Sequence, residues 1–176
     1  RLAFGARPGD VQRVRAMGIS AGGMTLLHLA TRQPDRIEAM VLIGATTHFP
    51  EQARTIMRGV SVETLPPPVL EMFRTCAVRG DSQVRALIDQ FHAFKDSRDD
   101  MAFTPAALDL IRARTLIVHG DRDEFFPVSI PVEMYGAIRG SELWIVPDGD
   151  HVPIYGERMP EFLRVTQRFL ADAEGR

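Results

Sequence analysis

The sequence predicts an α/β fold, a mostly parallel sheet flanked by helices, with a helical insertion between two of its strands. Three observations carry that expectation. Two short, near-continuous apolar runs, Glu38 to Gly44 (EAMVLIG) and Thr115 to His119 (TLIVH), have the pattern of parallel strands covered on both faces. Such runs alternate with segments of helical spacing, which in a parallel sheet implies right-handed crossovers. Between them, Thr46 to Arg114 contains helical segments and no convincing strand, and it is too long for an ordinary connection.

The elements follow in order. Arg1 to Asp10 is rich in Gly, Arg and Pro without a period, and residues 1–13 read as a tail or linker. Val14 to Gly18 reads as a short strand entering a Gly-rich turn. Ala21 to Arg32 carries Met24, Leu27 and His28 at helical spacing, with Pro34 just beyond. The insertion holds helices over Pro68 to Val78, Ser82 to Phe94 and Thr104 to Arg112, the last with Thr104 as N-cap and Pro105 at the first helical position. Val128 to Ile138 is expected to be helical, Glu142 to Val146 (ELWIV) a strand, and Pro160 to Ala173 a closing helix. The expected organisation is thus a core of 14–47 and 113–176 interrupted by a helical cap over 48–112.

Composition narrows the functional classes. The 176 residues carry a formal net charge of −2 and no block of Lys or Arg, so neither nucleic acid nor an anionic membrane is an expected partner. The longest apolar runs are far short of the ~20 residues that span a bilayer. No signal-peptide pattern opens the chain, and a cytoplasmic location is the expectation. The chain starts with Arg1 rather than Met, which reads as a processed, trimmed or partial product. Cys76 is the single cysteine and is expected to be a small buried or half-buried apolar residue. No Cys/His/Asp cluster has metal-ligand spacing, and no Gly-rich phosphate loop is present, so neither a metal nor a nucleotide cofactor is implied.

The chemistry begins at Gly18-Ile19-Ser20-Ala21-Gly22, a G-x-S-x-G at a strand end that opens a helix. A sharp strand-to-helix turn forces Ser20 into a strained backbone conformation, with Gly18 and Gly22 leaving room for the chain to pass close to itself. The Ser20 hydroxyl is then held above the sheet at a helix N-terminus, and the Ala21 N–H points where an oxyanion would form. A serine needs a base to take its proton, and the base needs an orienting acid. Gly120-Asp121-Arg122-Asp123 follows one strand and Asp148-Gly149-Asp150-His151 follows the next, so strand ends deliver Ser20, an aspartate and His151 to one edge of the sheet.

The segments MGISAGG, HGDRDEFFPV and PDGDHVP resemble the three motif regions of the α/β-hydrolase superfamily, in its esterase and enol-lactonase-like branch. The resemblance runs over nearly the whole chain from Val14 onward. It implies Ser20 as nucleophile, Ala21 as an oxyanion donor, Asp123 as the acid and His151 as the general base. Asp121 is the rival acid and is expected instead to form an Asx-type turn. Asp150 is expected to face away from the imidazole, and His119 to support its turn. Relatives with an aspartate nucleophile act on haloalkanes and epoxides. A serine implies an acyl-enzyme route on esters, lactones or thioesters, or hydrolysis of C–C bonds. A small-molecule ester or lactone is therefore the expected substrate.

The four strands read here match only the last four of the superfamily's larger sheet. The loop that resemblance assigns a second oxyanion donor has no counterpart in Arg1 to Arg13. The strand Val14 to Gly18 becomes an open edge. The expectation is a homo-oligomer, or a chain bound to a missing N-terminal half. The alternative function is a truncated, weakly active or non-catalytic binding and assembly module.

Overall fold

The computed structural model describes residues 13–171; the expected tail lies almost entirely outside them. The chain divides into two compact units. One is built from the chain up to Thr47 and from Phe103 onward, the other from His48–Ala102.

Among the described residues, the first unit holds a four-stranded parallel sheet in the order β1 (Val14–Ile19), β2 (Ile37–Ile43), β3 (Arg114–Gly120), β4 (Glu142–Val146). Burial follows position in the sheet. The central β2 and β3 are buried along nearly their whole length, on both faces, which is what their unbroken apolar runs require. β1 pairs only with β2 among the described residues, and its exposed Arg15 and Met17 alternate with buried Ala16 and Gly18. One face carries a cluster of Ala39, Val41, Ile43, Leu116, Val118 and Val146 with Phe162 and Phe169 of the closing helix. Met40 and Leu42, of opposite parity, are buried as completely.

Helices connect the strands. α1 (Ala21–Arg32) and a short 3₁₀ turn (Pro34–Arg36) lead from β1 to β2. α6 (Ser129–Ala137) links β3 to β4, and α7 (Met159–Ala171) closes the unit, with the expected final residues 172–173 outside the described range. The carbonyls at the C-terminus of α7 lack partners within the helix. Arg15 donates to Leu170 O at 2.9 Å and Arg114 to Phe169 O at 2.8 Å, tying that helix end to β1 and β3.

The second unit contains α2 (Glu51–Gly59), α3 (Pro67–Cys76) and α4 (Asp81–Ala93). Its buried residues are few: Phe49, Ala53, Met57, Val84, Ile88 and Met101, with Arg54 among them. The Arg54 guanidinium donates to Phe49 O at 3.0 Å, Phe94 O at 3.0 Å and Lys95 O at 2.7 Å, so one buried cation stitches the start of α2 to the end of α4. Cys76 is exposed, contrary to its expected burial, because α3 buries none of its residues.

The helix expected over Thr104 to Arg112 is shorter. Thr104 does cap it, its hydroxyl oxygen accepting from Ala107 N–H at 3.2 Å, but the helix, α5 (Pro105–Leu108), is a single turn and belongs to the first unit. Past it, Ile111 and Ala113 are buried on the way into β3. No helix among the described residues is long and apolar enough to cross a membrane.

Candidate active site

The turn between β1 and α1 is built around one unusual residue. Ser20 has φ 49° and ψ −116°, a conformation that side-chain-bearing residues seldom adopt. Its backbone is held at both ends: the N–H donates to Ile43 O at 2.7 Å, and the C=O accepts from Met24 N–H at 3.0 Å. The tightness of the turn falls on Gly18, where a Cβ would run into the backbone of Gly22 and Gly23. Gly22 differs from expectation, since a Cβ there would meet nothing within 4 Å. Ala21 is the first residue of α1, so its N–H has no partner within the helix and lies beside the Ser20 hydroxyl in sequence.

The loops after β3 and β4 are zipped together. Asp121 N–H donates to Val146 O at 3.2 Å and Arg122 N–H to Gly149 O at 2.9 Å. Asp121 does not form the Asx turn expected of it: its carboxylate reaches across to Gly149 N–H at 3.1 Å, because the two loops touch. Gly120 permits that contact, as a Cβ there would collide with the backbone of Gly149 and Asp150. Asp150 is exposed and accepts from Val152 N–H at 3.1 Å within its own turn.

Between these loops a chain of hydrogen bonds is complete. His151 Nε2 lies 2.9 Å from Ser20 Oγ, and His151 Nδ1 lies 2.9 Å from Asp123 Oδ2. The Asp123 side chain is fully buried, and its Oδ1 accepts from the N–H groups of Phe125 at 2.7 Å and Phe126 at 3.0 Å. Burial by itself would raise the carboxyl's pKa. The hydrogen bond and charge of His151 and the two backbone donors outweigh it, and the net direction is down from 3.8. An ionised Asp123 only accepts, so Nδ1 donates to it, Nε2 keeps its lone pair, and the Ser20 hydroxyl donates to Nε2. The structure therefore brings together Ser20, Asp123 and His151, with Ala21 at the adjoining helix start, and leaves Asp121 and Asp150 on other partners.

Sequence reasoning missed the residues that hold this chain in place. Gly44, at φ 54°, lets the end of β2 pass under His151, whose backbone oxygen a Cβ would strike. Phe125 and Phe126 set their rings 4.7 and 5.3 Å from the His151 ring. A Gly closing an apolar run and two Phe after an acidic turn were the available signals. His28 stacks at 4.7 Å on Phe103, and His92 Nδ1 lies 3.2 Å from Val60 O. Among the described residues no group of three or more His, Cys, Asp or Glu can hold a metal ion.

No protein-family model matches the chain. It is 27% identical over 170 residues to the serine hydrolase BPHL of Mus musculus, covering 90% of this chain and 55% of that protein. It is 23% identical to the 2-hydroxy-6-oxononadienedioate/2-hydroxy-6-oxononatrienedioate hydrolase of Paraburkholderia xenovorans, covering 92% of this chain and 63% of that one. The chain thus spans little more than half to under two thirds of these curated relatives. Among solved structures, the 2-hydroxy-6-oxo-6-phenylhexa-2,4-dienoate hydrolase of Rhodococcus sp. strain RHA1 matches with a TM-score of 0.68 at 18% identity, over 92% of this chain and 65% of that one. The meta-cleavage product hydrolase of Pseudomonas fluorescens IP01 matches with a TM-score of 0.65 at 19% identity, over 93% and 66%.

Proposed function

We propose, from the α/β-hydrolase fold that the chain adopts, that it is the Ser20-Asp123-His151 part of a serine hydrolase acting on small carboxylic esters or lactones. The observation that carries this reading is the pair of 2.9 Å hydrogen bonds linking a strained Ser20 through His151 to a buried Asp123.

In this reading His151 Nε2 takes the hydroxyl proton as Ser20 Oγ attacks the substrate carbonyl. Asp123 orients the ring and stabilises the imidazolium that forms. The new oxyanion accepts from Ala21 N–H, aided by the N-terminal end of α1. His151 then returns the proton to the departing alcohol, leaving an acyl group on Ser20. A water, deprotonated by His151, attacks that ester and releases the acid. The test is turnover of p-nitrophenyl acetate by the chain beside Ser20→Ala. Turnover by the chain that is lost in the variant supports the reading, and equal rates in both overturn it.

Two further readings each rest on one observation. The names of several relatives are those of 2-hydroxy-6-oxo-dienoate hydrolases, which favours C–C bond hydrolysis by the same serine. Following loss of the dienolate's visible absorbance separates this from ester cleavage. The outer edge of β1, which pairs with no second strand among the described residues, favours a chain that works only when another strand pairs there, from a second copy or from a longer protein. A monomer by sizing that melts cooperatively and turns over ester counts against that.

A further inference from the structure

His119 is the one fully buried histidine among the described residues, and the reaction just outlined does not use it. It is the penultimate residue of β3, four positions before Asp123. Its Nε2 lies 2.9 Å from Phe126 O. A carbonyl only accepts, so Nε2 must carry the ring proton. Nδ1 is buried and has no hydrogen-bond partner among the described residues. A second proton placed there would be a buried donor with nothing to receive it, which costs free energy. Geometry thus fixes His119 as a neutral ring with its single N–H on Nε2. Burial acts in the same direction, holding its pKa below 6.5.

The position of that N–H matters. Nε2 is also 3.6 Å from Asp123 Oδ2, too far to hydrogen-bond. A cation at this place would form an ion pair with Asp123 and compete with His151 for Oδ2. A neutral N–H spent on a backbone carbonyl does not compete. What it grips is Phe126. The Phe126 N–H donates to Asp123 Oδ1, and the Phe126 ring meets the His151 ring edge-on at 5.3 Å. Phe125, next in the chain, also donates to Oδ1 and lies 4.7 Å from His151. The centroids of the two Phe rings are 6.1 Å apart, so the rings take adjacent sides of the imidazole and form a corner.

We propose that His119 is a positioning residue: by holding the Phe126 carbonyl it sets the Phe125–Phe126 segment that orients both Asp123 and His151. This rests on the serine-hydrolase reading for its kinetic consequence, but not for its structural one. Small displacements of a reacting group away from its productive geometry cost up to about 10²-fold in rate.

The experiment compares the chain with His119→Leu, which removes the N–H, and His119→Gln, which keeps an amide N–H at similar reach. Two readouts are taken: kcat and KM on p-nitrophenyl acetate, and the downfield proton NMR resonance of the His151 Nδ1–H bonded to Asp123. Expected for His119→Leu is a fall in kcat of about tenfold to 10²-fold with KM little changed, and an upfield move of the resonance. His119→Gln restores most of both. If His119→Leu melts at a lower temperature while kcat and the resonance stay in place, His119 is only a packing residue and the proposal falls. It falls equally if both variants lose kcat alike and neither moves the resonance. Should the chain itself turn over no ester, the serine-hydrolase reading has failed, and the resonance alone then decides for or against His119.

Discussion

The two units of the chain reach stability by different means. In the sheet unit, β2 and β3 bury side chains on both faces, and every residue of the Ser20-His151-Asp123 chain is anchored to a strand end. In the helical unit, α3 buries nothing, and the buried Arg54 guanidinium joins the backbone carbonyls of Phe49, Phe94 and Lys95. The contrast teaches where rigidity is placed. A reacting constellation needs tight geometry, which packed strands supply. A segment with few buried apolar contacts lies toward the low end of local stability.

The comparison can be sharpened by disturbing each unit in turn. The largest effect is expected at the sheet edge: Ser20→Ala should lower ester turnover by at least about 10³-fold without lowering the melting temperature. Next comes Arg54→Met in the helical unit. It strands carbonyls of Phe49, Phe94 and Lys95, each worth about 1–3 kcal/mol when buried and unpaired. Hydrogen exchange should show protection lost within His48–Ala102 and kept in β2 and β3. Loss spread evenly over both units would break the distinction drawn here.

Acid should act on the sheet unit through two buried groups. His119 has its pKa lowered by burial, so below 6.5 the unfolded chain binds a proton that the folded chain refuses, and stability falls as pH drops through that value. Asp123 is also lowered, so its contribution is present above 3.8 and is lost as pH falls further, through its folded value. Melting temperature against pH should therefore decline in two windows. In His119→Gln the upper window should flatten.

The smallest effect is expected at Gly22, whose motif partner Gly18 should respond quite differently. Gly22→Ala should be neutral or stabilise by up to about 1 kcal/mol, since it adds a methyl where nothing lies within 4 Å and favours the helix. Gly18→Ala should fail to fold or lose Ser20's geometry, because its Cβ meets backbone. Chemical denaturation of the pair measures the difference, and equal behaviour would refute the steric account of the turn.

The sequence alone determined the α/β class, the strands and their order along the chain, and the Ser20, Asp123 and His151 candidates. Apolar runs and G-x-S-x-G at a strand end are local signals, and local signals survive in one dimension. It marked Thr104 as a cap for the same reason, yet overran that helix, which ends at Leu108, six residues before β3 begins at Arg114. Cys76 was misread because apolar character does not say which helix finds a neighbour. Tertiary structure alone decided that Asp121 clamps the neighbouring loop, that Gly44 and Gly120 clear a path for the His151 loop, and that Phe126 is the partner His119 holds. The Asp121, Asp123 and Gly120 contacts join the loops after β3 and β4, and Gly44 joins the end of β2 to the latter loop, so no spacing along the chain encodes those distances.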